Sequence, residues 1–513
     1  MQKMSWRSLV VASFLLVGWH RALADGNLQN VKHIIIVMQE NHSFDNYFGV
    51  LGYAPGPYHN SQNGGSCLDG DHHCVDGLTC KADLAGLNCT NSNLDDNGST
   101  VSAFHEPSRC VPPDLDHSWV GTHEEANFLN PNDTLKNFLA DGFVRVNDAT
   151  EQVDKGVENA TEDQTIGYYN QNDIPFYYDL AQKFALSDRY FASVLGPTFP
   201  NRSYLMAATS FGHLTTNDTF PPPGGYKPIT GTIFDLLNKY GVSWADYFQD
   251  APQAASFALN PSHFLPLVVF LAQAAGLGIL PDVSLIDPDF GLEGTAIEND
   301  EHPPTDIQRG QAYVSQVVNA VRNGPYWKNS VIFIAYDEHG GFYDHVKSPS
   351  ASQSGAATPD GIAPGQCADL SNPPASKQPG GGAECSSNPV SSSDTSVADA
   401  EALCPRLAMN PTGSYPDECP NFNQLGIRVP FIAVSPFSKP QYVSHTIADH
   451  TSLLALIEHR FLTFKGVTLH LTARDTNANS LEDLFEFDDS PSLRTPVGHA
   501  GPPAHDCTPM QFP

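Results

Sequence analysis

The run at positions 34–38 (IIIVM) is apolar and rich in β-branched residues, shows no alternation of inward and outward side chains, and ends abruptly in Glu40, Asn41, His42, Ser43 and Asp45. A half-buried strand alternates polar and apolar residues with period two, so a run of this kind belongs to a strand covered on both faces. Two-sided cover requires helices on each side of a largely parallel sheet, and in such sheets ligands gather beyond the carboxyl ends of the strands. The signature recurs at 331–336, closed by Asp337 and Glu338 and then by Gly340 and Gly341, and a third apolar run spans 429–434. Helix-like segments at 173–184, 232–240, 305–323 and 450–461 accompany these runs. The expected fold class is therefore α/β, a central and mostly parallel sheet flanked by helices.

Glu40 and Asn41 at one strand end, with Asp337 and Glu338 at another, supply oxygen donors of the kind that hold a hard divalent cation. An acid pair at a strand end is more often simply solvated. Paired glycines weigh against that reading here, because they let backbone turn sharply or approach a ligand. Between the two acidic clusters, the segment LGPTFPNRSY places Thr198 on a turn stiffened by Pro197 and Pro200, with Arg202 nearby. A hydroxyl held rigidly beside a metal can attack phosphorus while a guanidinium holds phosphoryl oxygens, although the segment alone would pass for a structural turn.

Lys3, Arg7, the apolar stretch 9–19 and Ala22-Leu23-Ala24 have the parts of a secretory signal peptide, so residues 1–24 are expected to be a cleaved leader and the protein to be secreted. Ten cysteines, grouped at 67–110 and 367–419 with Cys507 beyond, suit disulfides in that setting; their pairing stays open, and zinc at Cys67, Cys74 and Cys80 is the weaker alternative. Asn88, Asn97, Asn132, Asn159 and Asn217 are glycan acceptors in polar stretches, whereas Asn41 and Asn201, inside candidate site motifs, are expected to stay unmodified. The net charge of −31 excludes a phosphate-neutralising nucleic-acid binder and a purely electrostatic grip on anionic membranes. Segment 264–280 is the most apolar later stretch; its glycines and flanking prolines point to a buried helix. Residues 25–513 read as a single domain carrying loop-like insertions at about 60–113 and 347–421, neither able to build a core of its own.

The motifs QENHSFDNYFG, LGPTFPNRSYLMAATS, ENDEHPPTDIQRGQ, FIAYDEHGGFYDHV, VPFIAVSPF and ADHTSLLALIE closely resemble, in content and order, the phosphoesterase family of phosphatidylcholine-type phospholipases C and acid phosphatases. The resemblance implies an alkaline-phosphatase-like layered fold and one divalent metal ion, whose identity (Mg, Ca, Mn or Zn) the residues leave open. It implies Glu40, Asn41, Asp337, Glu338 and Thr198 as metal ligands, with Thr198 also the nucleophile; threonine at that position is the pattern of the lipase branches, serine that of the acid phosphatases. His117 in PDLDHSW and His302 in ENDEHPP match histidines of the phosphate pocket, while His450 in ADHTS matches less firmly because Asp449 is placed to cap a helix there. His42 and His339 depart from some relatives at positions beside proposed ligands, where they would alter supporting hydrogen bonds.

The expectation is thus a secreted eukaryotic, fungal-like phospholipase C that cleaves phosphatidylcholine-like lipids through a phospho-threonine, with transient contact to a membrane surface and no nucleic-acid partner. Oligomeric state is left open. An acid phosphatase on soluble monoesters is the first alternative, and a secreted glycoprotein that binds without catalysis the second.

Overall fold

The computed structural model describes residues 26–501 apart from 62–64, 85, 111–113, 155–161, 217–223, 258, 292–297, 352–357, 363–366 and 371–420. The expected leader, most of the second insertion, Asn159, Asn217, Cys385, Cys404, Cys419 and Cys507 lie outside the described residues.

An eight-stranded sheet organises the chain. In chain order its strands are β1 (His33–Gln39), β2 (Ala185–Ser187), β3 (Trp244–Phe248), β4 (Phe264–Pro266), β5 (Val283–Ile286), β6 (Ser330–Tyr336), β7 (Phe431–Val434) and β8 (Tyr442–Ser444). Across the sheet they lie in the order β4-β3-β5-β1-β6-β7-β2-β8. Every pairing is parallel except those of β7, which runs against both β6 and β2. β1 and β6 occupy the middle, and Ile34, Ile35, Val37, Val331, Ile332 and Phe333 are fully buried. At about 1.5–3 kcal/mol for each large apolar side chain taken out of water, this pair of strands anchors the fold.

Helices α1 (Phe44–Phe48), α2 (Trp119–Ala126), α3 (Thr198–Ala207), α4 (Ile307–Arg322) and α5 (His450–Phe461) bear on the site. Local chemistry fixes their starts. Asp306 accepts from the Gln308 amide at the head of α4, and Asp449 accepts from the Thr451 amide at the head of α5, the capping role expected of it. Segment 264–280 departs from the expected buried helix: it gives edge strand β4 and a short surface helix, Leu267–Ala274, leaving Val268, Leu277 and Ile279 at 68%, 82% and 83% exposure. An edge strand has a neighbour on one side only, and the chain leaving it runs back over the surface to reach β5. Leu277 and Ile279 flank Gly278, whose carbonyl accepts from Tyr326 just before β6 begins. They therefore stand at the amino-terminal end of the sheet, away from the ligand-binding edge.

In the first insertion, Cys67–Cys74 and Cys80–Cys89 are disulfides, so the zinc alternative fails at those cysteines. Cys110 and Cys367 are also disulfide-bonded. Leu78, Cys80, Cys89 and Ala103 pack against Phe143, Val144, Ile166, Tyr343 and Ile427, so the insertion borrows a core from the rest of the chain. Asn88, Asn97 and Asn132 are exposed, whereas Asn41 and Asn201 are buried.

Candidate active site

Parallel register brings the two acidic clusters together. Gln39 pairs with Tyr336 at the last rung of β1 and β6, and the Asp337 amide donates to the Gln39 carbonyl (3.2 Å), so Glu40 and Asp337 leave the sheet side by side. Asn41 has φ +65°, and Gly340 and Gly341 have φ +63° and +72°. A Cβ built on Gly340 would lie 2.3 Å from the Asn41 carbonyl oxygen. Only glycine allows the two turns to approach this closely. The Gly340 amide donates to Glu338 Oε2 (2.7 Å), and His339 Nδ1 lies 3.2 Å from the same oxygen while its Nε2 contacts Glu125 (2.7 Å). His42 bonds the Glu301 carbonyl (2.9 Å) and Asn46 (2.8 Å). Both histidines thus support the segments that carry site residues.

Thr198 opens α3, behind Pro197. Asn201 fixes this turn: its Oδ1 accepts from the Ser193 and Val194 amides (2.8 and 3.0 Å), and its Nδ2 donates to the Gly196 and Pro197 carbonyls (2.7 and 3.1 Å). Arg202, one helical turn after Thr198 on the same face, donates from Nε to Asp337 Oδ2 and from Nη2 to Glu40 Oε1, each at 2.9 Å, and its Nη1 is 3.8 Å from Asp287. Side chains on a helix lean toward its N-terminus, so the face that meets Glu40 and Asp337 is the face that carries Thr198.

His117 and His302 face each other, ring centroids 5.6 Å apart, with Asp114 between them at 3.6 Å from His117 Nδ1 and 3.8 Å from His302 Nε2. The other edge of His117 meets Asn41 Nδ2 (3.4 Å) and Glu338 Oε1 (3.8 Å). Burial works against protonating either ring, but Glu338 and Asp114 hold His117 up to about 9, and Asp114 and Glu40 do the same for His302. Burial alone would raise Glu338; His117 and His339 outweigh it and hold the group low. Burial, with Glu40 and Glu338 beside it, pushes Asp337 up against the pull of Arg202.

Two of the expected site residues make contacts other than those expected of them. Arg202 was expected to hold phosphoryl oxygens; its guanidinium is instead engaged by buried carboxylates, because an uncompensated acid cluster at adjacent strand ends is costly. His450 was expected in the catalytic set; it is fully buried, donates from Nε2 to the Asp337 carbonyl (2.7 Å), bonds the Tyr190 hydroxyl (3.1 Å) and is pushed down to about 4 by burial. It braces the end of β6. The structure also adds residues the sequence reading passed over: Asp114, Asp287 at the end of β5, and Asp300, whose carbonyl accepts from the Glu40 amide (2.8 Å) and whose Oδ1 accepts from the His302 amide (3.0 Å). The short apolar run closed by Asp287 repeats, in miniature, the signature of β1 and β6.

Asn41 Oδ1 and Glu338 Oε1 are buried acceptors without a hydrogen-bond donor. Buried oxygens are almost always satisfied, so two orphans at the ends of adjacent strands, flanked by Glu40 and Asp337, mark where a cation fits. The donor set is oxygen throughout, suited to one hard divalent ion, and the neighbouring imidazoles also permit zinc.

The sequence profile of the phosphoesterase family matches residues 31–463. The chain is 28% identical over 481 residues to non-specific phospholipase C1 of Arabidopsis thaliana, covering 91% of this chain and 73% of that protein. It is 27% identical over 530 residues to phospholipase C B of Mycobacterium tuberculosis, covering 94% and 84%. Among solved structures, murine ectonucleotide pyrophosphatase/phosphodiesterase 5 aligns with a TM-score of 0.33 at 10% identity, over 61% of this chain and 95% of that one.

Proposed function

Because the chain belongs to the phosphoesterase family and is a hydrolase of phosphoric esters, we propose that it is a secreted, metal-dependent phospholipase C that acts on phosphatidylcholine-like lipids through a phospho-threonine. The observation that carries this reading is the pair of donorless oxygens on Asn41 and Glu338, set beside the helix face that bears Thr198. Glu40, Asn41, Asp337, Glu338 and Thr198 would hold the cation. When bound, it supplies positive charge that acidifies the Thr198 hydroxyl and polarises the phosphoryl group.

The residues then divide the work. Thr198 Oγ1 forms the new bond to phosphorus as the bond from phosphorus to the diacylglycerol oxygen breaks, and its proton passes to solvent. His117, beside Asn41, and His302 are partly exposed and meet at Asp114; one donates a proton to the departing oxygen and the other a hydrogen bond to a phosphoryl oxygen. Water next attacks phosphorus and gives a proton to the histidine that protonated the diacylglycerol; the bond from phosphorus to Thr198 breaks, Oγ1 takes a proton back from solvent, and the phosphorylated head group leaves. Arg202 keeps the carboxylates in place throughout, and the N-terminus of α3 favours negative charge on the bound phosphoryl group.

Purified protein should release phosphocholine and diacylglycerol from phosphatidylcholine in mixed micelles, and Thr198→Val should abolish turnover while preserving fold and bound metal. Full activity of that variant would remove Thr198 from the mechanism. Hydrolysis of p-nitrophenyl phosphate without release from lipid would instead make the protein a phosphatase of soluble monoesters.

A further inference from the structure

We propose a second metal site, remote from the catalytic one, formed by Glu458 on α5, His470 on the segment that follows, and Asp475 in the helix Ala473–Asn477. One ligand atom from each of these residues lies within 4.8 Å of the other two, and His470 Nδ1 is 2.7 Å from Glu458 Oε2. Glu458 and Asp475 are completely buried, while His470 reaches the surface with 18% of its side chain exposed. Among the described residues neither carboxylate pairs with a lysine or arginine.

An independent observation points to a ligand. Glu458 Oε1 is buried and receives no donor, although Asp475 takes up the amides of Leu471 and Thr472 (2.7 and 2.8 Å). A buried carboxylate beside another carboxylate needs a positive partner, a proton or a cation. Burial and the neighbouring Asp475 charge push Glu458 up to about 11 when a proton must serve. A cation answers the same charge, satisfies the orphaned oxygen and recruits the imidazole, and two carboxylates with one histidine suit Zn²⁺ or Mn²⁺. His470 supplies the solvent-facing side through which the ion would enter.

Glu458 follows His450 by eight residues, about 12 Å along the helix axis at 1.5 Å per residue. The ion would therefore clasp the C-terminal half of α5 to segment 470–475, serving stability rather than turnover.

The test uses the full-length protein, its His470→Ala variant and its Glu458→Gln variant, each equilibrated with Zn²⁺ or Mn²⁺ and freed of excess. Expected are one more metal equivalent in the wild type than in either variant, unchanged ester hydrolysis in the variants, and an anomalous diffraction peak bounded by the three side chains. Should the variants fail to fold, the wild-type peak decides alone. Equal metal content in all three chains, or no peak there while the catalytic site is loaded, overturns the proposal. A Glu458→Gln chain that unfolds at the wild-type temperature whether or not metal is present would identify a shared proton as the occupant instead.

Discussion

Gly340 packs so closely against Asn41 that a single added methyl group would sit 2.3 Å from the Asn41 carbonyl oxygen. Both residues have positive φ, so the two turns that leave β1 and β6 interlock backbone to backbone, and the placement of the donorless oxygens of Asn41 and Glu338 depends on that contact. Gly340→Ala adds left-handed strain of about 1–2 kcal/mol and must also displace Asn41. The expected result is a fall in kcat/KM and weaker metal binding, out of proportion to a modest drop in melting temperature. Metal titration beside thermal unfolding checks it, and unchanged metal affinity would refute the interlock.

Arg202 joins Glu40 to Asp337 and approaches Asp287, three acids from three strands. Replacing it with methionine leaves these carboxylates without their buried partner, a loss of about 3–5 kcal/mol in chelator. The proposed cation would share the same acids, so saturating metal should recover part of that loss. Denaturant unfolding with and without metal measures the difference. An equal loss in both would mean that the cation does not draw on Glu40 and Asp337. Chelation of the wild type should likewise abolish ester hydrolysis, and a panel of Mg²⁺, Ca²⁺, Mn²⁺ and Zn²⁺ should rank the ions that restore it.

Much of this centre was legible in the sequence, because a two-sided strand that ends in acids admits few other structures. β1 and β6 could be read from their long β-branched runs, and α5 was placed at its observed limits. Strands β2, β3, β4, β5 and β8 have three to five residues each, too few for periodicity to show, and Asp287 was missed along with β5. The antiparallel course of β7 depends on the path of the chain before it, which no local pattern encodes. Arg202 lies beside the acidic strand ends, with its guanidinium on carboxylates. Residue type predicts that a guanidinium will meet oxygens, but only the register of β1 with β6 reveals that carboxylates fill that space. The contacts of His450 are hidden for a similar reason: a histidine in a motif looks the same whether it faces a pocket or braces a strand end.

The loop after the paired glycines carries a second buried ion network with a pH signature. His345 contacts Asp45 (2.6 Å) and Asp76 (3.3 Å), while Arg428 pairs with Asp344 and Asp45 (2.8 and 3.1 Å). Burial and the nearby Arg428 disfavour the imidazolium, but Asp45 and Asp76 prevail and raise His345 to about 10. A group raised on folding stabilises fully below its unfolded pKa of about 6.5, and that contribution disappears as pH climbs through the folded value. The protein should therefore lose stability between pH 6.5 and 10, by at most about 5 kcal/mol, at about 1.4 kcal/mol for each pH unit between the two values. His345→Gln should be less stable at pH 6 and should flatten the slope above it. Denaturant midpoints measured across that range give the answer, and identical slopes in the two proteins would dissociate His345 from the effect.

Asn201 has the sequence of a glycan acceptor and the structure of a clamp. Its amide satisfies two backbone N–H groups and two carbonyls in the stretch from Ser193 to Pro197, immediately before Thr198. Peptide mapping should accordingly find Asn201 unglycosylated. Asn201→Ala leaves these buried groups unpaired and should cost about 3 kcal/mol, with a loss of kcat much larger than any change in KM, because Thr198, the proposed nucleophile, is misplaced while the substrate contacts made elsewhere are kept. Asn201→Asp tests which half of the clamp matters. It keeps both bonds from the Ser193 and Val194 amides but turns a charged oxygen toward the Gly196 and Pro197 carbonyls, so it should fold more stably than the alanine variant yet stay nearly as inactive. If the aspartate variant instead recovers wild-type turnover, the Gly196 and Pro197 contacts do not set the position of Thr198, and the rigidity of the turn rests on its prolines.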